Sequence, residues 1–217
     1  MILVPATSLD DWKKLLASPD KHWKEDYSAH ALATRWQDSR GFPPEISALL
    51  GTNDLTSGAT LLLAIPEHQV PLAGGARASQ TDLWALARTA SGLISMAVEG
   101  KVSESFGPSI GDWEKDASSG KRARWEALCA LLEVNRDCDR DVRYQLFHRT
   151  ASALIEAKRF HAKAASVVVH SFSATRESLS DFQRFVRLMG GTMAAPGHMM
   201  SVPAREGIAL CFGWAQG

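Results

Sequence analysis

Ser79-Gln80-Thr81-Asp82-Leu83-Trp84-Ala85-Leu86-Ala87, then across a turn Ile94-Ser95-Met96-Ala97-Val98-Glu99-Gly100-Lys101-Val102, is the stretch whose reading decides the fold. Both halves are apolar runs of strand length, and Thr89-Ala90-Ser91-Gly92 between them has turn chemistry, so residues 81–88 and 93–102 are expected to pair antiparallel. Alternation then puts Glu99 and Lys101 on one face, ~6.5–7 Å apart along the strand, and Val98 and Val102 on the other. Placing Asp82 opposite Glu99 requires Ala90-Ser91 at the centre of the turn, and the turn falls there.

Outward from this hairpin, the apolar run 59–65, closed by Pro66, predicts a preceding strand and completes a three-strand meander. The first 57 residues read as helices. Ser8 or Asp10 caps one carrying Trp12, Leu15 and Leu16; Ser28 precedes another over 29–37, with Leu32 and Trp36 four apart; Pro43-Pro44-Glu45 opens a third that runs to Leu50. Beyond the hairpin, residues 121–133 and 142–160 have helical spacing. Residues 164–172, with Val167-Val168-Val169, read as a buried strand, and Ser173 or Thr175 caps a helix over 176–189 that Gly190 ends. Gly191 to Arg205 reads as a loop and 208–214 as the last strand. The expected fold is therefore α/β: one domain with a central mixed β-sheet flanked by helices, in which 1–57 is a helical segment, 58–172 the core and 173–217 a C-terminal helix and strand.

Composition agrees with a globular chain: 45% of its 217 residues are hydrophobic and 22% charged. The longest apolar run, Ala59 to Pro66, is far short of the ~20 residues that span a bilayer, which argues against a membrane protein. Met1-Ile2-Leu3-Val4-Pro5 carries no basic region ahead of an apolar stretch and no small-residue cleavage site. Cys129, Cys138 and Cys211 are odd in number and lack CxxC spacing, which argues against a disulfide framework or structural zinc. A cytoplasmic setting is expected. Lys plus Arg and Asp plus Glu are 24 each, a balance that disfavours coating nucleic acid through bulk charge. Locally the balance tips: residues 121–163 hold ten Lys and Arg against six Asp and Glu, a basic flank able to attract a phosphate backbone.

Carboxylates facing each other across a hairpin repel unless a cation or proton intervenes. Mg²⁺ or Mn²⁺ is the natural solution, since such hard ions take one or two carboxylates with waters and substrate phosphate. Asp82, Glu99 and the Gly100 carbonyl are the expected ligands, and Lys101 would stand beside a metal-bound water, orienting or deprotonating it. There is no GxSxG, HExxH, Walker A or GxGxxG pattern to suggest other chemistry.

An Asp on one strand, a hairpin turn and Glu-x-Lys on the next, set among these helices and strands, resembles the PD-(D/E)xK nuclease superfamily, with its restriction-endonuclease-like α-β-β-β-α-β core, as a divergent bacterial-type member. The resemblance covers roughly Pro44 to Phe172. It implies a Mg²⁺-dependent nuclease acting on DNA, less readily on RNA, with metal on Asp82 and Glu99 and Lys101 assisting the attacking water. Thr81 stands where the motif has Pro. The resemblance also implies an acid from the first core helix, for which Glu45 is a candidate and Glu67 its competitor, and a polar residue from the following helix, for which Gln145 and Arg149 are candidates. Members that cut two strands in pairs suggest a homodimer. The alternative is a nuclease-derived module that binds or assembles without catalysis, which the neutral total charge favours.

Each of these residues also has a plainer reading. Glu-x-Lys decorates exposed edge strands for solubility; Gln145, Arg149, Ser152 and Glu156 could be a solvated helix face; Glu67 and His68 could cap a hairpin; and Glu45 is a favourable first-turn charge. His170 reads as a hydrogen-bonded histidine at a strand end. His198-Met199-Met200 has too few ligands for a soft metal, and the dispersed tryptophans read as packing.

Overall fold

The computed structural model describes residues 6–192 and 195–217, so the N-terminal stretch Met1 to Pro5 lies outside the described residues. Four helices lead in: α1 (Leu9–Leu15), α2 (Pro19–His22), α3 (Ser28–Gln37) and α4 (Pro44–Leu50). Ser8 caps α1 by accepting from the Asp11 amide, whereas Ser28 is itself the first residue of α3 behind Tyr27. Three strands follow, β1 (Thr60–Val70), β2 (Ser79–Thr89) and β3 (Gly92–Lys101), then α5 (Ile110–Glu114), α6 (Ser119–Leu132) and α7 (Tyr144–Arg159). The chain closes with β4 (Ala164–Ser171), α8 (Leu179–Leu188), β5 (Met199–Arg205) and β6 (Ile208–Gln216).

The six strands form one mixed sheet in the order β1-β2-β3-β4-β6-β5, parallel at β3–β4 and β4–β6 and antiparallel elsewhere. Both faces are covered. On one, Leu128, Leu146, Phe147, Leu154, Phe182 and Phe185 from α6, α7 and α8 pack with Val167 and Phe212. On the other, Trp12, Leu32, Trp36, Ile46 and Leu49 from α1, α3 and α4 pack with Leu83, Met96 and Val168. Full burial of each such side chain is worth about 1.5–3 kcal/mol, so the two clusters bind the helices to the sheet far more strongly than propensity could. This is the expected α/β domain with a mixed sheet flanked by helices. The tryptophans at 84, 125 and 214 are fully buried in it, and all three cysteines are buried and free.

Three expectations need correction. β1 does not stop at Pro66 but continues to Val70, because an edge strand tolerates a residue without an N–H. Within the expected loop from Gly191 to Arg205, β5 is an edge strand paired with β6. Its turn is Glu206-Gly207, both at positive φ (+49° and +78°), the geometry that two-residue hairpins favour. The helix expected from Arg176 begins at Leu179 behind Ser178, so neither Ser173 nor Thr175 is its cap.

Candidate functional site

The hairpin register places the carboxylates. Leu83 pairs with Val98 and Ala85 with Met96, so the next step sets Asp82 opposite Glu99, as the turn position requires. On the other side Pro66 pairs with Leu83 and His68 with Thr81, which sets Glu67 opposite Asp82. Three acids thus form a row across β1, β2 and β3. The β2–β3 ladder ends at Leu83–Val98, and the Gly100 amide beyond it donates instead to Asp82 Oδ2 at 3.0 Å. In an antiparallel strand the N–H and C=O of one residue point to the same neighbour, so the Gly100 carbonyl also points to the β2 side.

Glu67, Asp82 and Glu99 line a cavity of about 320 Å³ together with Gln80, Gln145 and Arg149, and with residues of α3 and the segment before it. Glu104 closes one side, taking the amides of Ser28 and Val102 at 2.9 Å each and so tying the start of α3 to the end of β3.

Cations are already in place. Arg149 Nε donates to Glu99 Oε2 at 2.5 Å, and its Nη2 lies 3.5 Å from Asp82 Oδ1. The guanidinium therefore spans the two acids. Lys101 Nζ donates to Glu99 Oε1 at 2.9 Å, and Gln145 Nε2 donates to the same oxygen at 2.6 Å. Lys101 is buried, lies 4.8 Å from the centre of the Phe106 ring, and does not line the cavity; it stands behind Glu99. The expectation of Lys101 beside an attacking water is corrected to this extent: its amine contacts Glu99 and, at 3.4 Å, Gln145 Oε1.

Electrostatics follow from these contacts. Burial works to raise the Glu99 carboxyl, but the charges of Arg149 and Lys101 outweigh it and hold the group down at about 2. Asp82, with a more distant cation, is pushed up to about 7 by burial and by the Glu99 charge, and Glu67 up to about 8 by burial and by Asp82. His148 is held neutral by burial and by the neighbouring Arg149, and its Nδ1 lies 2.8 Å from Ser79 Oγ.

Glu67 stands in the row with an unusual backbone. Its φ of +52° lies in the left-handed region, rare for a residue other than Gly, Asn or Asp, and such strain gathers at sites where the fold demands it. Strand alternation would separate the faces of Glu67 and His68. The break instead brings His68 to the face of Glu67: Glu67 accepts from Gln80 Nε2 at 2.6 Å beside Asp82, and His68 packs on Trp84 and approaches Glu156 of α7. These residues do not cap a hairpin.

Glu45, the acid expected from the first core helix, is elsewhere. It pairs with Arg35 at 2.6–2.7 Å and with His170 Nε2 at 2.9 Å, while Trp36 donates to His170 Nδ1. His170 is therefore the hydrogen-bonded strand-end histidine expected. The polar line of α7 is not a solvated face, since Arg149, Ser152 and Glu156 are buried against the sheet. The basic flank is also less free than its count suggests. Arg124 is buried, donating to the carbonyls of Ala73, Gly75 and Arg77, while Arg136, Arg140, Arg143 and Lys158 pair with Glu126, Glu114, Asp181 and Glu206. Gln80 was absent from the expected site although its spacing from Asp82 signals a shared face; Glu104, Ser79 and His148 carried no such signal.

Among the described residues no group of three or more His, Cys, Asp or Glu side chains is arranged to hold a metal ion, and no helix is long and apolar enough to cross a membrane. The side chains there that could ligate a metal, Asp82, Glu99 and Glu67, offer only oxygens, which suits Mg²⁺ or Mn²⁺ completed by waters and phosphate rather than a soft ion. Residues 5–217 match the family described as Domain of unknown function (DUF6946), and the chain belongs to that family. No curated protein and no solved structure matches it.

Proposed function

We propose that this cavity serves metal-dependent hydrolysis of phosphodiester bonds in nucleic acid, DNA ahead of RNA, and that the chain is a divergent relative of the PD-(D/E)xK nucleases. The observation that carries this is the register that brings Asp82 opposite Glu99 on a cavity wall, with Lys101 and Gln145 on the same Glu99 oxygen. Asp82, Glu99 and the Gly100 carbonyl would hold Mg²⁺ or Mn²⁺. When bound, the ion supplies Lewis-acid polarisation of the phosphate and a water of lowered pKa. The chain's own residues do the positioning. Gly100 N–H fixes one Asp82 oxygen, Lys101 and Gln145 fix Glu99, and Arg149 offers a planar donor fork to phosphate charge.

The test is cleavage of linear DNA, plasmid and RNA with Mg²⁺ or Mn²⁺ against EDTA. Wild type cleaves, and Lys101→Ala and Asp82→Asn lose about 100-fold or more while keeping the circular-dichroism spectrum of the fold. Equal rates in wild type and Lys101→Ala would remove the role given to Lys101.

One observation favours a second reading, a non-catalytic nuclease-derived module for binding or assembly. Arg149 already spans Asp82 and Glu99, and Lys101 is engaged by Glu99, so the chain supplies its own counter-charge. Under that reading neither metal supports cleavage of any substrate in the panel.

A further inference from the structure

Glu67, Asp82, Glu99 and Arg149 form only part of the wall around their cavity. The rest comes from Leu16 and Ala17 behind α1, His22 at the end of α2, and Tyr27, Ser28 and Ala29 where α3 begins. This second wall is fixed in place. The start of α3 packs so closely on β3 that a Cβ on Gly100 would lie 3.2 Å from the Ser28 carbonyl oxygen, and Glu104 holds the Ser28 amide. The buried Trp12 donates to Gln37 at 2.9 Å and so ties α1 to α3.

The space between the two walls sets what can reach the acids. The Asp82 and Glu99 side chains are 23% and 3% exposed, so both are recessed rather than presented on an open face. A volume of about 320 Å³ is that of a cube about 7 Å on a side, at the lower end of pockets that take one small molecule. The major groove of a duplex alone is about 12 Å wide, so paired strands are too broad to bring a phosphate to Asp82. One nucleotide of a flexible strand is not. The acid wall takes its phosphate, while Tyr27 and His22, aromatic beside the aliphatic Leu16, offer ring faces on which any base can stack.

Resting on the phosphodiester reading of this cavity, we infer that it admits nucleic acid as a single strand, with one nucleotide's phosphate at the acids and its base against Tyr27 and His22. A duplex serves only where its strands part. Stacking is indifferent to base identity, so the strand is taken without sequence preference.

A labelled DNA oligonucleotide, offered single-stranded and as the blunt duplex of the same sequence, tests it. Binding is read by fluorescence anisotropy on Asp82→Asn in Mg²⁺, and cleavage on the wild-type chain in Mn²⁺ against EDTA. The single strand binds roughly tenfold or more tightly than the duplex and is cut faster by a similar factor; in the Asp82→Asn background Tyr27→Ala weakens its binding roughly tenfold and Tyr27→Phe does not. Selective binding without any cleavage would support the strand preference and remove the hydrolytic activity proposed above. A duplex bound and cut as well as the single strand, with cleavage lost in EDTA, would overturn the strand preference and leave that activity standing. Neither binding nor cleavage of either form would overturn both. Unchanged binding in Tyr27→Ala would overturn the placement of the base, and His22→Ala, at an exposed position, decides that point if Tyr27→Ala does not fold.

Discussion

Replacing Arg149 by Met keeps the side chain's stem and removes its charge from the centre of the site. The guanidinium is buried and holds Glu99 Oε2 at 2.5 Å, with Asp82 Oδ1 at 3.5 Å and Ser79 Oγ at 3.3 Å. Glu99, only 2% exposed, retains Lys101 and Gln145, but both sit on its other oxygen. Breaking a buried pair by removing one partner costs about 3–5 kcal/mol, and the surviving Lys101 contact places this case near the lower end. A domain of this size loses about 2–4 °C of Tm per kcal/mol, so Arg149→Met should melt roughly 6–12 °C lower at pH 7 by calorimetry or circular dichroism. A pH signature accompanies the loss. Glu99 is depressed from its ordinary 4.5 to about 2, so its contribution to stability is present above 4.5 and disappears as pH falls through 2. The gap between wild type and variant should therefore narrow from pH 5 toward pH 2. A drop smaller than roughly 3 °C at pH 7, or a gap that does not change with pH, would show that Arg149 is not the counter-charge that holds Glu99 ionised.

Three further outcomes are expected. Asp82 and Glu67 are raised to about 7 and 8, so the folded state binds more protons than the unfolded chain between pH 4 and 8; in EDTA their contribution to stability falls as pH climbs through that window, and Mg²⁺ raises Tm more at pH 9 than at pH 6 if it replaces those protons. Equal Mg²⁺ shifts at both pH values count against a metal at these acids. Glu45→Gln should cost about 1–3 kcal/mol in urea unfolding through its bonds to Arg35 and His170, yet leave the Mg²⁺ response intact; loss of that response would return Glu45 to the site. In Gly74→Ala, at a φ of +79°, the new Cβ would overlap the backbone of Gly120 and Arg124. Hydrogen exchange over residues 73–77 should accelerate as the segment lifts off α6, and unchanged protection would contradict that packing.

Much of the fold was legible because its signals are local. Apolar runs closed by turn residues marked β2, β3, β4 and β6, and i, i+4 lines marked α6 and α7. β5 escaped because Met199-Met200-Ser201-Val202-Pro203 lies in a Gly- and Pro-rich stretch and becomes a strand only by pairing with β6. The polar line on α7 was legible as a line, but nothing local tells whether Arg149 and Glu156 meet water or the sheet. That depends on Leu146, Phe147 and Leu154 docking around them.

By itself the sequence determined that Asp82 faces Glu99, since strand alternation and a two-residue turn leave one register that buries Leu83, Ala85, Met96 and Val98 together. Only the tertiary structure decided what stands between those acids and which third acid joins them. Arg149 is fifty residues from Glu99 and arrives by helix packing. Glu67 rather than Glu45 completes the row because the β1–β2 register sets it opposite Asp82, while Glu45 is held on α4 by Arg35 and His170.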